Sequence, residues 1–251
     1  MNNITFKNIH HFGDVICETD LYELIHFSDM LLFYDANFLR FKRMPTIQEF
    51  KDAEKFLRDF HLSHGQKHVK FTLPENEKPD DFFTNFLIEN GYQVGYLELF
   101  GIEPSQFPDI TPNPNIHITK VTKETLSEYL NFQYNMDKEF GEDFASDKQK
   151  IHKQIFESNH FDQIVSYYNG EIVGSLTVII GHSTAEIDGF SVSESYQRKG
   201  IGSLMQKYVM ELYHDKTIIL VADGQDTPRN MYLKQNYQLY GVRYDITKVY
   251  E

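Results

Sequence analysis

Gln197-Arg198-Lys199-Gly200-Ile201-Gly202 stands between a strand-like run and an amphipathic helix, and the fold is read from it. Upstream, Ala185-Glu186-Ile187-Asp188-Gly189-Phe190-Ser191-Val192 has the pattern of a strand and ends in the polar turn Ser193-Glu194-Ser195-Tyr196. Downstream, Ile201, Leu204, Met205, Tyr208, Val209 and Leu212 recur at three- and four-residue spacing, so one helix face is apolar. A glycine pair at such a junction lets the backbone approach a ligand with no Cβ atoms in the way. The N–H groups of the first helical turn point at the same spot, next to the positive end of the helix dipole. This is an anion site, and it suits a phosphate. The dinucleotide fingerprint fails, because Ser203, Leu204 and Met205 follow Gly202, and no P-loop string is present.

What the segment resembles is the acyl-coenzyme A loop of the GNAT superfamily of N-acetyltransferases, [RQ]-x-x-G-x-[GA]. Gln197, Gly200 and Gly202 fill its defining positions. The resemblance implies that backbone N–H groups of Arg198, Lys199, Gly200, Ile201, Gly202 and Ser203 hold the pyrophosphate of acetyl-coenzyme A. Further on, Thr217-Ile218-Ile219-Leu220-Val221 is a strand candidate and Asp223-Gly224 a turn signal. A short helix is expected from about Thr227, with Thr227 or Asp226 as N-cap and Pro228 in its first turn. It carries Met231-Tyr232-Leu233-Lys234-Gln235-Asn236-Tyr237, similar to the family's L-Y-x-x-x-G-[FY] signature, with Tyr232 on the tyrosine often placed beside the thioester sulfur. Asn236 takes the usual glycine position, where a left-handed conformation is needed that asparagine also tolerates. Gln225 stands where many relatives have an asparagine, about seven residues before the tyrosine, a departure at a coenzyme contact.

Upstream, residues 164–168 and 171–180 flank Asn169-Gly170 and read as a hairpin. Helices are expected at about 122–139 and 146–158. From residue 116 the order is strand, two helices, hairpin, strand, helix, strand, helix and terminal strands, which is the GNAT order over a little more than half the chain. The expected class is α/β with a mixed sheet and a GNAT-like acyl-CoA N-acyltransferase fold.

The chain has 251 residues, 41% hydrophobic and 15% aromatic, ample for a packed core in one large domain or two small ones. A boundary is expected at 102–115, where Pro104, Pro108, Pro112 and Pro114 make a linker, with residues 1–101 before it and 116–251 after. In the first part Thr46-x-x-Glu49 is a capping-box pattern that opens a helix with Ile47, Phe50, Ala53, Leu57 and Phe60 on one face. Residues 68–73 read as a strand, 82–90 as a helix stopped by Gly91, and 92–100 as another strand. Phe86-Leu87-Ile88-Glu89-Asn90-Gly91-Tyr92 echoes the run that ends at Tyr237, so residues 1–101 are expected to be a degenerate GNAT-like half in a tandem of two units. That half lacks the acyl-CoA loop and is not expected to bind the coenzyme in the family's way.

Net charge is −13, which argues against a nucleic-acid surface and fits either plain solubility or a cationic amine substrate. No apolar run approaches the roughly 20 residues that span a bilayer, and the first residues lack the regions of a signal peptide. The single cysteine, Cys17, excludes an internal disulfide framework and fits a reducing cytoplasm. His61, His64 and His68 have near-helical spacing, but Gly65 interrupts it and no acid or cysteine partner follows, so no metal site is expected.

Acetyl transfer to an amine needs proton removal from the amine, polarisation of the thioester carbonyl and a proton for the departing thiolate. The resemblance implies that the Val192 N–H polarises the carbonyl, that the Tyr232 hydroxyl is the general acid, and that Glu186 or Asp188 is the base, directly or through water. Glu186 lies 14 residues before Gly200, matching the glutamate base of histone-modifying relatives, and shares a sheet face with Asp188. The alternatives are that both acids are merely solvated or ion-paired and that Tyr232 only packs its ring. The expected activity is acetyl-coenzyme A-dependent N-acetylation of a small molecule or peptide amine. A non-catalytic acyl-coenzyme A sensor, a longer acyl donor, and a monomer or homodimer all remain open.

Overall fold

Hydrophobic periodicity sets most of the elements in the computed structural model, which describes residues 4–225 and 228–250. Chain order begins with β1 (Asp14–Glu18), β2 (Tyr22–His26), β3 (Phe38–Phe41), α1 (Ile47–Ser63), β4 (His68–Thr72), α2 (Asp81–Glu89) and β5 (Gln93–Ile102). Next come β6 (Ile116–Lys120), α3 (Leu126–Asp137), α4 (Glu142–Glu157), β7 (Phe161–Tyr168), β8 (Glu171–Ile180) and β9 (Thr184–Val192). The chain ends with α5 (Ile201–Leu212), β10 (Thr217–Asp223), α6 (Pro228–Lys234) and β11 (Gln238–Val249). The expected N-cap of α6 at Asp226 or Thr227 lies outside the described residues.

Two compact units result, one of residues 1–99, 222–229 and 239–251, the other of 100–221 and 230–238. They do not follow chain order, whereas the sequence reading places all of 116–251 together. The physical reason is β11, which pairs antiparallel with β4 through Asp245↔Thr72 to Val249↔His68. The stretch expected as a free linker is also tied down, because Asn236 Nδ2 donates to Gln106 O at 2.8 Å and Lys207 Nζ to Ile110 O at 3.4 Å.

In the first unit the strands run β1-β2-β3-β4-β11, with β3 and β4 parallel and α1 as the connection between them. Phe41, Phe50, Leu57, Phe71, Leu87 and Ile246 are buried in its core. Thr46 caps α1 as its sequence promises: Thr46 Oγ1 accepts from the Glu49 N–H at 3.2 Å, and Glu49 Oε2 accepts from the Thr46 N–H at 2.9 Å. Thr46→Ala should cost about 1 kcal/mol in urea unfolding and Thr46→Ser almost nothing, the difference being the cap bond.

In the second unit the strands run β10-β9-β8-β7-β6. β6 to β9 are antiparallel, and β10 is parallel to β9 because α5 carries the chain back over the sheet. The β7–β8 turn is the expected tight one, with Asn169 and Gly170 both at positive φ, +52° and +88°. The predicted echo between the halves is visible in how two helices end. Tyr92 N–H donates to Leu87 O and Gly91 N–H to Ile88 O, while Tyr237 N–H donates to Tyr232 O and Asn236 N–H to Leu233 O. Gly91 has φ +78° and Asn236 φ +69°, so both ends are the same left-handed C-cap.

Candidate active site

The basic loop is built by backbone geometry. β9 stops at Val192, a single 3-10 turn covers Glu194–Tyr196, and Gln197 Nε2 donates to Val192 O at 3.1 Å. Gln197 thus closes the turn on the strand end, a structural task for the family's first defining residue. Arg198 (φ +60°) and Gly200 (φ +80°) then turn left-handed, and Gly200 is the N-cap of α5. A non-glycine residue held this way costs roughly 1–2 kcal/mol and is found where function demands it. Because α5 starts at Ile201, the N–H groups of Ile201, Gly202 and Ser203 have no intrahelical acceptor and face outward past the loop. The two glycines serve different ends. Gly200 supplies the left-handed turn and has open space around it, whereas a Cβ on Gly202 would stand 3.2 Å from Phe190 Cζ. Lys199 holds its ammonium over the Tyr196 ring at 4.5 Å and the Tyr168 ring at 5.3 Å, while Arg198 is exposed.

α6 is fastened beside this loop, since Gln235 Nε2 donates to Ser203 Oγ at 3.0 Å. Tyr232 is buried, with its ring 5.6 Å from Phe100 and 5.4 Å from Tyr237. The Tyr237 hydroxyl is buried without a protein partner, and burial pushes its pKa well above the ordinary value. Tyr237 fills the last position of the signature, and the fold brings its ring against Tyr232.

β8 and β9 settle which acids share a face. Ser175 pairs with Ser191 and Thr177 with Asp188, so β9 spends one more residue than β8 over this span. This is a β-bulge, with Gly189 at φ +57°. As a result Ser191, Asp188 and Glu186 lie on the face of Ser175, Thr177 and Ile179, while Phe190 turns to α5. Glu186 is 6% exposed on that face, and Asp188 is exposed. Asp188 is therefore the carboxylate that meets solvent, and Glu186 stands behind it.

α3 and α4 cover the same face with polar groups that sequence reasoning missed. Gln133 Oε1 accepts from Ser175 Oγ at 3.3 Å, and Gln133 Nε2 donates to Tyr129 Oη at 2.9 Å. Their signal was present: Tyr129 and Gln133 are four apart on a helix, and Ser175 and Thr177 two apart on a strand, each pair aligning polar groups on a buried face. A cleft of about 570 Å³ bounded by His117, Thr119, Thr125 and Tyr167 lies at the β6–β7 edge, and its lining residues include no lysine, arginine or carboxylate. Among the described residues there is no metal-binding group of three or more ligands, and no helix is long and apolar enough to cross a membrane.

Residues 124–237, from the start of α3 past the basic loop to Tyr237, match the family model described as Acetyltransferase (GNAT) family. That segment, a little under half of the chain, is similar to the GNAT acetyltransferase family. Ahead of the GNAT match, residues 4–100 match a domain of unknown function, DUF5613. A functionally unknown conserved protein from Staphylococcus epidermidis is 32% identical, with a TM-score of 0.90 over 99% of this chain and 98% of that one. A GCN5-related N-acetyltransferase from Kribbella flavida shares the fold at 14% identity and a TM-score of 0.61, over 94% of this chain and 89% of that one. A tandem GNAT protein from the clavulanic acid biosynthesis pathway also shares it, at 10% identity and a TM-score of 0.52, over 91% of this chain and 78% of that one. These likenesses extend through both units, in keeping with a two-unit GNAT-like arrangement. No match is found among curated proteins.

Proposed function

We propose that the protein moves an acetyl group from acetyl-coenzyme A to a primary amine of a small molecule or peptide by direct attack. The observation that carries this reading is the loop of residues 197–203, with two left-handed residues, a glycine N-cap and outward N–H groups at the start of α5. Those N–H groups take the pyrophosphate. The thioester then lies along the end of β9, where the Val192 N–H polarises its carbonyl. Asp188 receives the amine proton as the N–C bond forms, with Glu186 behind it, and Tyr232 protonates the departing thiolate as the C–S bond breaks.

A second reading, an acyl-coenzyme A-binding protein without turnover, is favoured by one observation: Tyr232 is buried between Phe100 and Tyr237. Calorimetric titration of acetyl-coenzyme A followed by an amine screen separates the two. We expect micromolar binding and turnover, with Tyr232→Phe leaving the affinity unchanged and lowering kcat by at least about tenfold. Tight binding with no acetylated product from any amine would leave the sensor reading, and no binding at all would remove both.

A further inference from the structure

One face of the first unit's sheet is apolar and the other is charged. Leu39 and Phe41 on β3, Val69 and Phe71 on β4, and Tyr244 and Ile246 on β11 pack into the core with α1 and α2. The alternate residues Arg40, Lys70, Thr72, Arg243 and Asp245 therefore share the opposite face, and all belong to this unit. Strand register makes them one patch. Thr72 pairs with Arg40 on one side and Asp245 on the other, and Arg243, two residues before Asp245, is its diagonal neighbour. β3, α1 and the parallel β4 repeat the order of β9, α5 and the parallel β10. The charged face thus corresponds to the one that carries Glu186 and Asp188 in the second unit.

Most charges on this face answer one another. Glu23 Oε2 accepts from Arg40 Nε at 2.9 Å and Nη2 at 2.7 Å. Lys70 Nζ bonds Asp35 and stands 3.4 Å from Asp245 Oδ2, while Glu75 Oε2 accepts from the Phe6 N–H at 3.1 Å. Arg243 is the exception. Its guanidinium lies over the Phe6 ring at 4.5 Å, and among the described residues it forms no salt bridge. Its Nε is buried without a hydrogen-bond partner, and so is Thr72 Oγ1, on a residue 2% exposed. Burial, helped by the charge of Arg40, lowers the Arg243 pKa to about 10 against the pull of Asp245, Asp35 and Glu75, so the group stays charged at neutral pH. A water satisfies hydrogen bonds here and leaves that charge uncompensated. We propose that Arg243, Thr72 and Arg40 bind an oxyanion group, the carboxylate or phosphate of a small molecule, on this face. The Arg243 fork donates to two of its oxygens, the Thr72 hydroxyl donates to one, and Arg40 Nη1, which Glu23 leaves unused, is a further donor. Where the second unit presents carboxylates, the first presents guanidinium groups, and the sign of the ligand reverses. The site stands whether or not the second unit transfers an acyl group.

The test uses the full-length chain with arginine labelled by nitrogen-15, in dilute Tris chloride near neutral pH. The Nε–H signal of Arg243 is the one lost in Arg243→Met, or in Arg243→Lys if the first variant fails to fold. Titration with sodium phosphate or sodium acetate should move that signal saturably, with a Kd below about 1 mM for at least one salt. The salt that binds tells a phosphate ligand from a carboxylate one. By calorimetry, Arg243→Met should weaken the binding by at least about tenfold, the loss of a charge-assisted fork. Thr72→Val keeps the shape and should weaken it by about fivefold, yet without added salt it should melt no lower than wild type, since it removes a buried hydroxyl with no partner. Gly202→Trp should leave the Arg243 response intact, which keeps phosphate taken up at the α5 loop out of the count. An Arg243 signal unmoved by either salt up to about 10 mM would overturn the site. So would wild-type affinity in Arg243→Met, or a Thr72→Val protein that melts lower without salt and binds as wild type does. A response lost in Gly202→Trp would assign the anion to the α5 loop and overturn this site alone.

Discussion

Acetyl-coenzyme A titrated into the Gly202→Trp protein is expected to give no saturable heat, a loss of at least about 100-fold in affinity, or roughly 2.7 kcal/mol. Gly202 lies in the first turn of α5, and even a Cβ there would stand 3.2 Å from Phe190 Cζ on β9. An indole therefore either pushes the helix away from the strand or swings out over the N–H groups proposed to receive the pyrophosphate. Both outcomes would remove the proposed anion site, and circular dichroism of the variant checks that the fold is kept. Two further variants separate geometry from charge. At Gly200 the added Cβ meets nothing within 4 Å, so Gly200→Ala acts only through the left-handed backbone and should weaken binding by several-fold. Lys199→Ala should do less still, because its ammonium sits over the Tyr196 and Tyr168 rings. Wild-type affinity in Gly202→Trp would sink the assignment of this loop as the coenzyme site.

What was legible in the sequence was local. The loop, the capping box at Thr46, the Asn169-Gly170 turn and the left-handed Asn236 each depend on a handful of neighbouring residues, and each is found where the pattern places it. The short strands β1, β2 and β3 escaped, because runs of four or five residues are too brief to show alternation, and Asp14–Glu18 is almost wholly exposed. The placement of β11 beside β4 was invisible for another reason: Thr72 meets Asp245 across most of the chain, and no local pattern encodes that choice. The polar groups under β9 were legible only as pairs within one element, and their meeting was not. Tyr129, Gln133, His152 and Thr177 come from two helices and a strand, and each alone reads as an ordinary polar residue. The bulge that brings Ser191 onto the face of Asp188 and Glu186 is likewise a property of strand pairing, not of the residues that form it.

Acid should unfold the first unit through two histidines that contribute nothing to the acyl site. His61 and His68 are each 1% exposed, and their rings lie 4.6 Å apart. His61 Nδ1 is 2.7 Å from His68 O and His68 Nε2 is 3.1 Å from Asn37 O, so those nitrogens carry the hydrogens. The other two, His61 Nε2 and His68 Nδ1, are buried lone pairs with no partner. Protonation would put an N–H and a charge where nothing accepts either. Burial accordingly depresses both pKa values from 6.5 to about 4. The unfolded chain binds protons at these groups near pH 6.5 and the folded one only near 4, so stability falls as pH drops through that window and rises with pH across it. At about 1.4 kcal/mol per unit, each imidazole removes roughly 3 kcal/mol by pH 4, a large share of the stability of a typical domain. His26, packed 5.0 Å from His64, is shifted the same way by burial and adds to the trend. Carboxylates do not mimic this: Glu49, bound to Arg43, is held down to about 2 and its contribution is lost only as pH falls below about 4.5. Urea unfolding between pH 7 and 4.5 should therefore show a steep loss of stability. Replacing His61 with Leu should flatten that slope by about 1.4 kcal/mol per pH unit, while lowering stability at pH 7 through the lost bond to His68 O. A slope unchanged in His61→Leu would mean that the imidazole already carries its proton in the folded chain, or that acid unfolding begins elsewhere.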